Sequence, residues 1–199
     1  LQEGDRIFVT APTSDLAVLL KNLGIVTRRV RQVLLCGGGR VSFYLAELLA
    51  KDGISVRLLE KDRDRCLMLA EALPDTDVVL GDCSNQSVLE DQGIHQCDAV
   101  VSLTGLDETN MIISLYASSQ EVAQTVTKLS REESIRIANT MNLGSIISPK
   151  ELCSNNIVQY VRAMQNQTGA AVSVHAIADG QAEAVEFIVE ELLTSSVGK

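Results

Sequence analysis

"VLLCGGGRVSFYLAELLAKDG", residues 33–53, sets three glycines between a short apolar run and an amphipathic one. "VLLC" (33–36) is continuously apolar, as a buried strand is. The stretch that follows carries apolar residues at 41, 45, 48 and 49 before Gly53, the residue type that closes a helix. The reading is strand, glycine-rich turn, helix. In the pattern G-x-G-x-x-G the first glycine makes the tight turn, the second lets a pyrophosphate approach the backbone, and the third lets helix pack on strand. Gly37 and Gly39 take the first two places, while Ser42 stands in the third with a side chain small enough to fit. The helix starting near Arg40 aims free amides at the loop and makes an anion site there.

Working outward, the same alternation repeats. "ISVRLLE" (54–60) is a second strand, "RDRCLMLAEAL" (63–73) a helix ended by Pro74, and "DVVLGD" (77–82) a third strand. "SVLEDQG" (87–93) reads as a short helix, "DAVVSLT" (98–104) as a fourth strand, and "DETNMIISLYASS" (107–119) as a helix opened by acids that suit its dipole. "VAQTVTKL" (122–129), "REESIRIANTMN" (131–142) and "GSIISP" (144–149) add strand, helix and strand. Strands of continuous apolar character alternating with helices require a parallel sheet covered on both faces. The expected fold class is therefore α/β, a doubly wound Rossmann-like parallel sheet over residues 25–150, entered through the polar connector "IVTRRVRQ" (25–32).

Outside this body, "RIFVTAP" (6–12) reads as a terminal strand and "SDLAVLLKNLG" (14–24) as a short amphipathic stretch. Residues 151–168 lie in an amphipathic connecting helix, apolar at 157, 158, 161 and 164, which packs either on a second subunit or on its own sheet. Residues 169–199 hold two β-rich runs around "ADG" (178–180), the start of an incomplete small α+β lobe. The chain opens on Leu1 without a methionine and is expected to be a piece of a longer protein, with processing or a tag as alternatives.

Ligands of such sheets sit beyond the carboxyl ends of the strands. Glu60, at the end of the second strand and 23 positions after Gly37, is placed to hold both hydroxyls of an adenosine ribose. An acid there repels a 2′-phosphate and argues against NADP, even with Lys61, Arg63 and Arg65 close by. Asp82 and Cys83 are placed to flank an adenine, Thr104 and Gly105 to pass under ribose and phosphates, and Lys128 to reach phosphate oxygens.

Composition narrows the function. A formal charge of -9, with only "RRVRQ" (28–32) locally basic, excludes a nucleic-acid surface. No run approaches the roughly 18 apolar residues that span a bilayer, so a soluble, cytosolic protein is expected. Cys36, Cys66, Cys83, Cys97 and Cys153 are widely spaced without a C-x-x-C pair and read as small apolar side chains rather than a disulfide frame or zinc site. His95 lies in a loop entering the fourth strand, at the wrong end of the sheet, and His175 lies in the terminal unit. His95 and Cys97 lack partner ligands for a metal, and no nucleophile elbow or Ser-His-Asp set is present. A cleft without a catalytic set points to a binding protein, not an enzyme. The alternative is an NAD-dependent oxidoreductase whose substrate site lies outside this stretch of chain.

The stretches "VLLCGGGRVSFYLA", "VRLLEKDRDRC", "VVLGDCS", "DAVVSLTGLDETNMIISL" and "LGSIISPKELCSNNIVQYVR" together resemble the TrkA family, the regulatory subunits of Trk-type potassium uptake built from RCK (or KTN) domains. The resemblance covers residues 31–165. "LQEGDRIFV" is similar to the closing strand of an RCK C-terminal lobe, and "SVHAIADGQAEAVEFIV" to the opening of another. It implies residues 1–24 as the end of one lobe, 25–150 as a nucleotide-binding domain, and 169–199 as the start of a truncated second lobe. It implies nucleotide contacts from Gly37, Gly38, Gly39, Arg40, Val41, Glu60, Thr104, Gly105 and Lys128. It further implies NAD(H), with ATP or ADP as alternatives, and a Trk-type membrane channel subunit as partner. The implied assembly is a homo-oligomer, a dimer or ring of RCK domains, in the cytoplasm at the inner face of the membrane.

Overall fold

A computed structural model describes residues 13–23, 29–141, 143–165, 171–177 and 182–187. The chain divides into two compact units, one of Arg28–Pro149 and one of Leu1–Thr27 with Lys150–Lys199. In chain order the described elements are α1 (Thr13–Asn22), β1 (Gln32–Cys36), α2 (Arg40–Lys51), β2 (Ser55–Glu60), α3 (Arg63–Ala72) and β3 (Thr76–Leu80). There follow α4 (Gln86–Asp91), a 3-10 turn at Ile94–Gln96, β4 (Ala99–Ser102), α5 (Asp107–Ser119), β5 (Gln124–Lys128), α6 (Glu132–Ala138) and β6 (Ser145–Ile147). The last are α7 (Pro149–Gln165), β7 (Ala171–Ile177) and β8 (Ala182–Phe187). "RIFVTAP" (6–12) lies outside the described residues.

The first six strands form one parallel sheet in the order β3-β2-β1-β4-β5-β6. The register sets Leu35 beside Leu58 on one side and Val101 on the other. Alternate strand residues feed two apolar cores because side chains alternate across a sheet. Val33, Leu35, Val56, Leu58 and Val101 pack with Ala46 of α2 and Leu69 of α3 on one face. Leu34, Cys36, Leu59 and Val100 pack with Leu89 of α4 and Ile113 and Ala117 of α5 on the other. This is the Rossmann-like doubly wound arrangement. Strand order reverses between β1 and β4, so their following loops part and open a crevice.

Local signals act where the chain turns. Gly53, at φ +75, follows α2 and takes the left-handed conformation that closes it. Asp62 accepts the Arg65 amide at 2.8 Å and so caps α3. Three of the differences from the expected spans have local causes. β4 ends at Ser102 rather than Thr104: the Leu103 amide still bonds to Cys36 O at 2.9 Å, but the Thr104 amide turns to the Asn110 side chain. α6 stops at Ala138, where the Thr140 and Met141 amides fold back to Ile137 and Ala138 in tight turns. Pro149 opens α7 instead of only ending β6, since a first helical residue needs no N–H. In the other unit β7 and β8 pair antiparallel, and "ADG" (178–180) lies outside the described residues.

Candidate functional site

A cleft of about 490 Å³ opens at the carboxyl ends of β1, β2, β4 and β5. Gly37, Gly38, Gly39, Glu60, Asp82, Cys83, Thr104, Gly105 and Lys128 all line it. Arg40 and Val41 do not: they head α2 with exposed side chains, and only the backbone of this helix start faces the loop. Lys61, Arg65, Ser84, Leu106 and Thr109 line the cleft without having been singled out from the sequence as contacts. His95 is exposed on the 3-10 turn before β4 and away from the cleft.

The glycine loop is held by fixed contacts. Gly37 sits at φ +100, and a Cβ there would lie 3.1 Å from the Thr104 backbone. The first residues after β1 and β4 therefore lie backbone to backbone before the two loops part, which only glycine allows at that angle. A Cβ on Gly38 would lie 2.5 Å from a Leu69 methyl and 2.6 Å from Glu60 Oε2. Ser42 is fully buried, and its hydroxyl donates to the Gly37 carbonyl. The serine in the third glycine position thus supplies a bond to the turn that glycine lacks.

Glu60 is more than a strand-end acid. Its Oε2 accepts the Gly38 amide at 2.7 Å and its Oε1 accepts the Asp62 amide at 2.8 Å, with the side chain nearly buried. Arg65 Nε lies 3.9 Å from the same Oε2 and donates to the Gly38 carbonyl, so α3 is tied to the loop through one guanidinium. Each carboxylate oxygen keeps acceptor capacity toward the cleft, because an ionised carboxylate offers about four acceptor positions. Asp82 accepts the Ser84 amide at 2.9 Å and its hydroxyl at 2.7 Å, bonds that hold its carboxyl below the usual range.

Beyond β4 the organiser is Asn110, wholly buried in α5. Its Oδ1 accepts the Thr104 amide at 2.9 Å and the Thr104 hydroxyl at 2.6 Å. Its Nδ2 donates to the carbonyls of Thr104 at 3.2 Å and Lys128 at 2.9 Å. One amide group thereby sets the β4 loop and the end of β5 together. Burial lowers the Lys128 pKa, opposed by the Asp107 charge, and its ammonium reaches Leu103 O at 3.4 Å. An anion arriving in the cleft finds this cation poorly solvated.

Asp107 faces away from the ligand side. It is buried and accepts the amides of Ser130 at 3.0 Å and Arg131 at 2.9 Å. Burial raises its pKa, but those amides, the Ser134 hydroxyl and the Arg131 charge outweigh it, and the net shift is downward. A carboxyl depressed in the folded chain stabilises it above its unfolded pKa of about 3.9. That contribution is lost as pH falls through the folded value. Asp107→Asn is expected to cost about 1–3 kcal/mol at neutral pH. The variant and the parent converge in urea melts once pH falls below the folded-state pKa of Asp107.

Among the described residues no group of three or more His, Cys, Asp or Glu gathers to hold a metal. None of the described helices is long and apolar enough to cross a membrane. The arrangement offers glycine amides, two helix starts, a carboxylate at the end of β2 and one half-buried lysine. Chemically it is fitted to hold a polyanion joined to a sugar.

Known proteins resemble this chain in sequence and in fold. The chain is 30% identical over 200 residues to the Trk system potassium uptake protein TrkA homolog of Archaeoglobus fulgidus, covering 100% of this chain and 43% of the relative. It is 28% identical to Trk system potassium uptake protein TrkA of Halomonas elongata, covering 94% of this chain and 40% of that protein. The chain thus spans less than half the length of these relatives. The solved GsuK RCK domain superposes with a TM-score of 0.62 at 18% identity, over 82% of this chain and 35% of that one. The GsuK channel bound to NAD gives a TM-score of 0.60 at 19% identity, over 82% of this chain and 29% of that one. These two likenesses carry the fold. The TrkA-N domain matches residues 33–149, more than half of the sequence, and the chain belongs to the TrkA-N domain family.

Proposed function

We propose that this chain is the nucleotide-sensing part of a regulatory subunit of a Trk-type potassium uptake system, acting at the cytoplasmic face of a membrane channel subunit. It binds NAD(H) in the cleft, with ATP and ADP as competing ligands, and couples occupancy to potassium transport through a conformational change in a homo-oligomer of RCK domains. The observation that carries the reading is the pairing of the glycine loop with Glu60 in one cleft. Hydride transfer to a substrate needs an acid or base beside the nicotinamide, whereas sensing needs only a ligand that binds two conformations unequally. The names of the relatives support a place in potassium uptake, and the NAD-bound GsuK channel supports the choice of ligand.

In this reading Glu60 takes the ribose, the amides of Gly39 and the start of α2 take the pyrophosphate, and Lys128 takes the far phosphate or the second ribose-phosphate. Lys128→Met is expected to weaken ATP binding about tenfold, the worth of one charge-assisted hydrogen bond of about 1.5 kcal/mol. It narrows the gap between ATP and ADP, as titration calorimetry would record. Incubation with NADH and a panel of oxo-acids separates sensor from enzyme. Binding without oxidation supports the sensor, and sustained loss of NADH absorbance supports the oxidoreductase.

A further inference from the structure

Two thiols meet at the floor of the cleft. Cys36 ends β1 directly before Gly37 and is wholly buried; Cys83 lies in the turn after β3, 7% exposed, and lines the cleft. Both belong to one core cluster, and each thiol perturbs the titration of the other. The other three are differently placed. Cys66 is buried on α3, the helix whose Leu69 packs on the opposite face, Cys97 bonds to Gly93 O at 3.5 Å, and Cys153 is exposed on α7. Cys83 and burial push the Cys36 thiol well up. Cys36 lowers the Cys83 thiol against burial and the charges of Asp82 and Glu60.

We propose that Cys36 and Cys83 are a redox pair, in which a hydroperoxide oxidises Cys83 from the cleft and Cys36 resolves it to an intrachain disulfide. The Cys83 sulfur attacks one peroxide oxygen, the O–O bond breaks, and the alcohol or water leaves, with Cys83 as sulfenic acid. The Cys36 sulfur then attacks the Cys83 sulfur. The S–O bond breaks, hydroxide departs with the Cys36 proton as water, and the S–S bond forms. Two thiols lose two electrons and two protons, and the hydroperoxide is reduced by the same two electrons. The new bond links the β1 glycine turn to the β3 turn, the two walls on the Glu60 side of the cleft. This chemistry does not depend on which ligand fills the cleft.

The test treats the full chain with hydrogen peroxide, blocks remaining thiols under denaturing conditions, and maps non-reduced peptides by mass. The expected product is a Cys36–Cys83 cross-linked peptide that dithiothreitol removes. Cys36→Ser abolishes the cross-link and leaves Cys83 trappable by dimedone. If the parent protein instead keeps both thiols free while Cys153 oxidises, or carries Cys83 to sulfinic acid as fast as Cys36→Ser does, the pair is refuted. The parent map alone decides this even where the variant fails to fold.

Discussion

Glu60→Ala is expected to reduce NADH affinity by roughly 10- to 100-fold, the effect of about 1–3 kcal/mol from an unsatisfied buried donor and a lost ligand acceptor. Two losses combine. The carboxylate no longer accepts from ribose, and the Gly38 amide, now bonded at 2.7 Å, loses its partner inside the cleft. Analogues divide them. The parent discriminates ATP from 2′-deoxy-ATP if Glu60 holds the ribose, and Glu60→Ala binds both equally. Glu60→Gln retains one acceptor and is expected to fall between. Discrimination that survives in Glu60→Ala would move the ribose contact elsewhere.

Gly144→Ala is expected to be the most damaging single-methyl change to the fold. Gly144 lies at φ +70, and its added Cβ would come 2.2 Å from Thr125 Oγ1 and 2.5 Å from the Thr125 carbonyl oxygen. Neither can retreat easily. The carbonyl is backbone of β5, and the hydroxyl donates to Leu143 O at 2.8 Å. A left-handed alanine costs about 1–2 kcal/mol and overpacking about 1–3 more. The sum corresponds to a fall in Tm of roughly 10 °C. Gly105→Ala is the control, since no atom lies within 4 Å of its added Cβ. It is expected to melt with the parent, and equal melting of all three proteins would contradict the packing account.

The main lines of this fold were legible because continuous apolar strands and periodic helices each report burial, and burial in alternation admits few topologies. "VLLCGGGRVS" and Glu60 marked the cleft because close backbone approach demands particular residue types there. What escaped was the wiring between loops. Asn110 in "DETN" looks like any polar residue in a helix start, and only the three-dimensional return of β5 brings Lys128 O within 2.9 Å of its amide. Asp107 read as a complement to its own helix dipole, yet its carboxylate serves the amides of Ser130 and Arg131 on the next loop. Arg65 was weighed only as a charge near Glu60, while its bond to the Gly38 carbonyl depends on how α3 returns over the loop. Arg40 and Val41, next to the glycines, head α2 with side chains exposed to solvent and outside the lining of the cleft.

The central claim is that the cleft binds an adenine nucleotide and leaves it unchanged. Titration calorimetry of the full chain with NAD⁺, NADH, ATP and ADP, followed by mass analysis of the recovered ligand, tests it most directly. The account predicts saturable binding of at least one of the four, one equivalent per chain, weakened in Glu60→Ala and with the ligand recovered intact. Absence of binding by all four, or recovery of a chemically altered nucleotide, would contradict it.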